Sequence, residues 1–175
     1  MIKRDLEPEV IFSIHYLAVD HYIRLAEKDK KYFYEVVKYG EKTVQFSNEY
    51  FASGTAQLCN TLYWLGMAYN EIGEKKEDLL NKSIDLLKQC INIKEHCKGS
   101  FLGSALNSLG YSCLLLGKLN KDKEILKKAV SSLQSAMPYR YDERQKSLTE
   151  ANLHITQQLL LGNFQNIDTS TYNYE

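Results

Sequence analysis

The chain has 175 residues, 44% hydrophobic and 25% charged, with 22 basic side chains against 22 acidic ones. That length bounds one domain of ordinary size, and the composition excludes a disordered chain. Balanced charge with no strong one-signed run argues against nucleic-acid or membrane-surface binding as the main task, since both need a concentrated positive field.

Helical spacing dominates, and only Pro8 and Pro138 interrupt it. A first helix is predicted over about 8–26, with Pro8 in its opening turn and Phe12, Tyr16, Val19 and Ile23 at intervals of three and four. A second spans roughly 30–51 through Phe33, Val36, Val37, Gly40, Val44 and Phe51, and "SG" at 53–54 supplies a cap and a break. The third, about 55–72, stops at Gly73 as a C-cap. A fourth covers about 77–97, followed by "KGS" with Ser100 as the next cap. The fifth runs to about 116 and ends at Gly117, and the sixth, about 122–137, precedes Pro138. The seventh, about 142–161, begins with Asp142 and Gln145 at capping-box spacing and ends at Gly162. Residues 1–162 therefore read as one helical domain, and 163–175 as a polar, disordered tail.

The opening "MIKRDLEPEVIF" has no apolar core of signal-peptide length, and no run approaches bilayer thickness. A cytoplasmic location is expected. Cys59, Cys90, Cys97 and Cys113 form no CxxC pair and fall within helical patterns, so they read as buried, reduced thiols suited to tight packing.

One phrase occurs twice. "LGMAYNEIG" at 65–73 and "LGYSCLLLG" at 109–117 are 44 residues apart, and a further 45 reaches His154, Ile155 and Gly162. Backward, Leu17, Ala18 and Ala26 lie 47 or 48 residues before their counterparts. The alternate helices agree: Ser83, Leu87 and Cys90 share the spacing of Ala129, Leu133 and Ala136, and of Val36, Gly40 and Thr43. A single hairpin cannot bury its apolar stripe alone, so a repeated stripe implies stacked copies. Gly66, Gly110, Ala68 and Ser112 are small where neighbouring helices must approach.

This arrangement resembles the tetratricopeptide repeat, most closely over 58–93, where Leu65, Gly66 and Tyr69 carry the Leu-Gly-x-x-Tyr signature. The interval of 44–45 exceeds the usual 34 and is similar to the longer-period members, whose second helix begins Leu-x-x-Ala, as in "LLNKSI" and "ILKKAV". The resemblance implies an all-α superhelical solenoid of about three hairpins closed by a C-terminal capping helix. It also implies that the first helix of each unit lines a concave groove. Carried over, the ligand-facing positions are Phe12, His15, Val19 and Tyr22; Asn60, Tyr63, Met67 and Asn70; Ser104, Asn107, Tyr111 and Leu114; and Thr149 and Asn152. The set contains Asn, Tyr and His but no Lys or Arg, which disfavours an acidic C-terminal peptide as ligand. Asn amides suit an extended peptide backbone, because each offers a donor and an acceptor.

Catalytic and metal signatures are thin: there is no GxxxxGK[ST], HExxH or GxSxG. His15 and His21 fall on different faces of one helix, and Glu150 with His154 reads as a surface pair. His96, Cys97 and Cys90 form the only Cys/His cluster in sequence, with at most three ligands on one helix, so packing is the expectation. No cofactor, metal or enzymatic activity is expected. Thirteen of the twenty Phe, Tyr and Trp residues precede residue 70, which fills the first two hairpins and leaves some Tyr to line a surface.

The leading expectation is thus a non-enzymatic adaptor or scaffold holding a protein or peptide segment in a mostly neutral, aromatic groove. The alternative is a regulatory sensor whose helices bind a small peptide or metabolite and change curvature. Self-association through the aromatic N-terminal half is a further expectation.

Overall fold

The computed structural model describes residues 6–50 and 55–164. Phe51, the break at Ser53 and Gly54, and the tail from residue 165 lie outside the described residues.

All regular structure among the described residues is helical. The α-helices are α1 (Pro8–Ala26), α2 (Phe33–Tyr50), α3 (Ala56–Gly73), α4 (Glu77–Asn92), α5 (Gly99–Asn120), α6 (Lys123–Ala136) and α7 (Glu143–Leu160). Single turns of 3-10 helix at Lys30–Tyr32 and Met137–Tyr139 lead into α2 and out of α6. None of these helices is long and apolar enough to cross a membrane.

Local chemistry sets many of the ends. Pro8 occupies the first turn of α1, where its missing N–H costs nothing. Thr55 accepts from the Leu58 N–H at 3.1 Å to start α3, and Asp122 accepts from Glu124 and Ile125 at 2.8 and 3.2 Å to start α6. Asp142 accepts from the Gln145 N–H at 2.8 Å, the bond expected from its spacing. Asp142→Ala should therefore destabilise the protein by about 1 kcal/mol. The check is a lowered urea midpoint at unchanged slope.

Four ends differ from expectation. Gly73 is the last helical residue of α3 and not its C-cap, a position that Glu74 holds in the right-handed region. Helix α4 stops at Asn92 because Ile93 leaves the helical region (φ −80, ψ 69), so Cys97 lies in a turn and not in the helix. Ser100 is not a cap; Lys98 holds that position without a side-chain bond. Gly117 does not end α5, which continues to Asn120 before Lys121 takes a left-handed conformation (φ 52). Gly117 is small for packing instead, since a Cβ there would lie 2.8 Å from the Leu126 side chain. Gly162, with φ 95, does close α7.

Each helix packs chiefly on the next one in the chain, giving the hairpins α1/α2, α3/α4 and α5/α6 with α7 against α6 and α5. The alternate helices α1, α3, α5 and α7 also touch in succession. The repeated positions build the interior: Val36, Thr43, Ser83, Leu87, Cys90, Ala129, Leu133 and Ala136 are fully buried. Each leucine so buried contributes roughly 1.5–3 kcal/mol. The small residues act as the repeat implies. A Cβ on Gly66 would meet Leu87 Cγ at 2.7 Å, and one on Gly110 would meet Leu133 Cγ at 2.6 Å. The Ser83 hydroxyl donates to the Gly66 carbonyl at 2.8 Å and meets the Ser112 hydroxyl at 3.0 Å, tying α3, α4 and α5 together.

On α1 the structure resolves the offset left at 47 or 48. Leu17 is 62% exposed, whereas Val19 and Ala26 are buried as Gly66 and Gly73 are. Forty-seven is the register that buries the matching positions. Outward from α1 stand Val10, Ile14 and Leu17, all exposed, with Leu6 just before the helix.

Candidate functional site

Helices α3 and α5 lie side by side and present a cleft between them. Tyr63, Met67, Asn70 and Glu71 line it from α3, and Ser104, Asn107 and Ser108 from α5. Arg140, after the second 3-10 turn, and Leu148 of α7 close one end. Its interior of about 20 Å³ has room for a water-sized group. Tyr63 and Met67 also belong to a wider hollow of about 280 Å³, whose other walls are Asp20, Ile23, Arg24, Glu27, Phe33 and Trp64. The two hollows make one strip across α1, α3 and α5.

Buried amides mark the narrow part. Asn70 is 3% exposed and its Oδ1 has no hydrogen-bond partner among the described residues. Asn152 of α7 is fully buried, donates from Nδ2 to Asn107 Oδ1 at 3.4 Å, and leaves its own Oδ1 unpaired. An unmet buried acceptor costs about 1–3 kcal/mol, and of these two amides only Asn70 lines the cleft. Arg140 is also buried: Nε donates to Thr149 Oγ1 and a terminal nitrogen to Ser104 Oγ, each at 3.0 Å. Glu71 pairs with Lys30 at 3.1 Å.

The residues expected to face a ligand divide into groups. Tyr63, Met67, Asn70, Ser104 and Asn107 are brought together in the cleft. Asn60 is half-buried and donates to the Tyr16 hydroxyl at 3.4 Å, beside the Tyr16–Trp64 ring stack. Asn152 and Thr149 are fully buried on the inner face of α7 and reach the cleft through Asn107 and Arg140. Tyr111 and Leu114 belong to the core.

The α1 set does not join the strip. Phe12 and Val19 are core residues. His15 lies against the rings of Tyr39 and Phe46, with centroids at 6.2 and 5.5 Å, and Tyr22 stacks on Tyr39 at 5.5 Å, so both face α2. Burial first, and then Lys42, lowers the His15 pKa. With the offset of 47, Tyr16, Asp20 and Ile23 take the places of Tyr63, Met67 and Asn70, and Asp20 and Ile23 do line the hollow. One residue turns a helix by about 100°, enough to exchange one face for another.

Sequence reasoning missed Arg140 and Glu71, which give the cleft one cation and one carboxylate. Arg140 sits in the polar stretch "YRYDER", where nothing local signals burial. It also missed a further hollow of about 540 Å³ lined from α2, α3 and α4 by Glu41, Val44, Asn48, Tyr69, Lys82 and Leu86, among others. There the Tyr69 hydroxyl donates to Glu41, and Lys82 Nζ lies 5.4 Å from the Tyr69 ring centre. Burial first, and then that bond, raises the Tyr69 pKa.

The cysteines are also placed differently from the sequence grouping. His96 is exposed, and Cys97 instead joins Cys90 and Cys59. Cys59 and Cys90 sulfurs are 3.5 Å apart, Cys90 and Cys97 4.0 Å, and all three lie within 4.8 Å of one another. Hydrogen bonds from Cys59 and Cys90 lower the Cys97 thiol, while the bonds with Cys59 and Cys97, together with burial, raise Cys90.

Scans against protein-family models, curated proteins and solved structures find no match to the chain.

Proposed function

We propose that the chain is a tetratricopeptide-repeat-like, non-enzymatic interaction module whose stacked hairpins hold an extended peptide along the strip over α1, α3 and α5. One observation carries this reading: Tyr63, Met67, Asn70, Ser104 and Asn107, chosen by repeat position, line one cleft that includes an unpaired amide oxygen. A peptide N–H would satisfy Asn70 Oδ1, Tyr63 and Met67 would cover an apolar side chain, and the rigid helices would keep the ordering cost low. Arg140 and Glu71 at the margins favour a segment of mixed polarity over a strongly charged one.

Panning a random peptide library on the folded protein should yield a shared motif. Tyr63→Ala should weaken the selected peptide at least about tenfold, near 1.4 kcal/mol. Tyr34→Ala, at a residue 61% exposed, should leave binding unchanged. Peptides that bind Tyr63→Ala as tightly as the parent, but lose affinity on Lys82→Ala, would move the site to the hollow by Tyr69.

A second reading, self-association, rests on the outward α1 stripe of Val10, Ile14 and Leu17. Light scattering that gives a dimer in the parent and a monomer in Leu17→Glu would favour it. A thermal shift with a small metabolite and no peptide would favour the sensor alternative.

A further inference from the structure

Cys59 comes from α3, Cys90 from the last turn of α4, and Cys97 from the turn that joins α4 to α5. Separations of 31 and 7 residues are closed by the fold into one sulfur triangle. The sulfurs have the spacing of ligands around one ion. Three thiolates each about 2.3 Å from a metal lie about 4.0 Å apart in a trigonal plane and about 3.8 Å apart in a tetrahedron. The Cys59–Cys90 and Cys90–Cys97 edges, 3.5 and 4.0 Å, bracket that range.

Burial narrows the choice of ion. Cys59 and Cys90 are fully buried and Cys97 is 3% exposed, so the site offers three sulfurs shielded from solvent. His96, the adjacent nitrogen donor in sequence, is exposed and outside the trio. A hard cation needing oxygen ligands is excluded by the donor set, and soft sulfur selects a thiophilic ion. Net charge decides next, because an uncompensated charge in an apolar interior is costly. Three thiolates leave two negative charges around a monovalent copper ion and one around zinc. They leave none around a trivalent ion.

We propose that Cys59, Cys90 and Cys97 form a three-sulfur binding site for a soft trivalent metalloid, of which arsenite is the simplest source. Arsenous acid would condense with the three thiols. Three As–S bonds form, three As–O bonds break, and the three thiol protons leave with the hydroxyls as three waters. Arsenic stays trivalent and nothing is oxidised or reduced. Cys97 is the entry point, since it alone of the three lies outside a helix and its turn can open without unwinding α3 or α4.

The test uses the full chain, reduced and free of added metal, titrated separately with arsenite, Cu(I) and Zn(II). Native mass spectrometry should show one arsenic bound with loss of three protons. Thiol titration after unfolding in the presence of excess arsenite is not informative, so alkylation is done on the native complex. Arsenite should leave its three ligands protected and slow their alkylation at least tenfold. Cys113→Ser should bind as the parent does, and Cys97→Ser should abolish the three-proton complex, with Cys97→Ala as a second substitution in the same turn. Retention of that complex in both Cys97 variants would overturn the assignment, as would failure of the parent to bind arsenite. Binding of Cu(I) or Zn(II) in preference to arsenite would overturn the trivalent choice.

Discussion

Gly110→Ala is expected to lower stability by roughly 2 kcal/mol, although alanine is the better helix former by about 0.5–1 kcal/mol. The new Cβ would stand 2.6 Å from Leu133 Cγ and 3.2 Å from the Leu133 backbone nitrogen. Leu133 is fully buried, so it has no solvent-facing rotamer into which it can retreat. The clash therefore outweighs the helix-propensity gain. In a Leu133→Ala background the side-chain obstruction is gone and only the backbone contact at 3.2 Å remains, so Gly110→Ala should become close to neutral, within about 1 kcal/mol. Leu133→Ala alone should cost about 2–5 kcal/mol. Urea denaturation of the four-member cycle gives the coupling directly. Equal effects of Gly110→Ala in both backgrounds would show that the Leu133 side chain is not why this position is glycine.

Arg140→Met should cost about 2–3 kcal/mol for a different reason. The guanidinium joins three parts of the chain: it donates to Ser104 on α5 at 3.0 Å, to Thr149 on α7 at 3.0 Å and to the Gln145 carbonyl at 3.4 Å. Hydrogen bonds from a charged donor are worth about 1.5–3 kcal/mol each in favourable cases. The loss is reduced because Thr149 already donates to the Gln145 carbonyl at 3.1 Å and keeps that bond. Methionine fills most of the volume, so the loss reports on polar linkage and not on a void. Besides a lower urea midpoint, amide exchange should accelerate over α7 before the central helices. Arg144→Met, at an exposed site one turn on, should stay within about 0.5 kcal/mol of the parent.

The helices and the small-residue contacts were legible because they rest on local periodicity. Gly66, Gly110, Ser83 and Ala129 recur where two helix axes must come close, and spacing alone carries that information. The lining of the cleft by Tyr63, Met67, Ser104 and Asn107 follows from the same repeat. On α1 the repeat is too worn to fix its phase, and a slip from 47 to 48 turned Phe12, His15, Val19 and Tyr22 onto the α2 side. Tyr111 went into the core cluster that also holds Ile155 and Leu159 of α7. Arg140 and the Cys59–Cys90–Cys97 trio were illegible for a related reason. Each depends on segments far apart in sequence meeting through the tertiary packing.

Because each helix leans mainly on its immediate neighbours in the chain, the closures needed to assemble the molecule are short in sequence. Such a topology favours rapid assembly, with the polypeptide able to condense progressively as it leaves the ribosome. Cohesion then passes from neighbour to neighbour, and a lesion in α6 should weaken α5 and α7 well before α1 registers it.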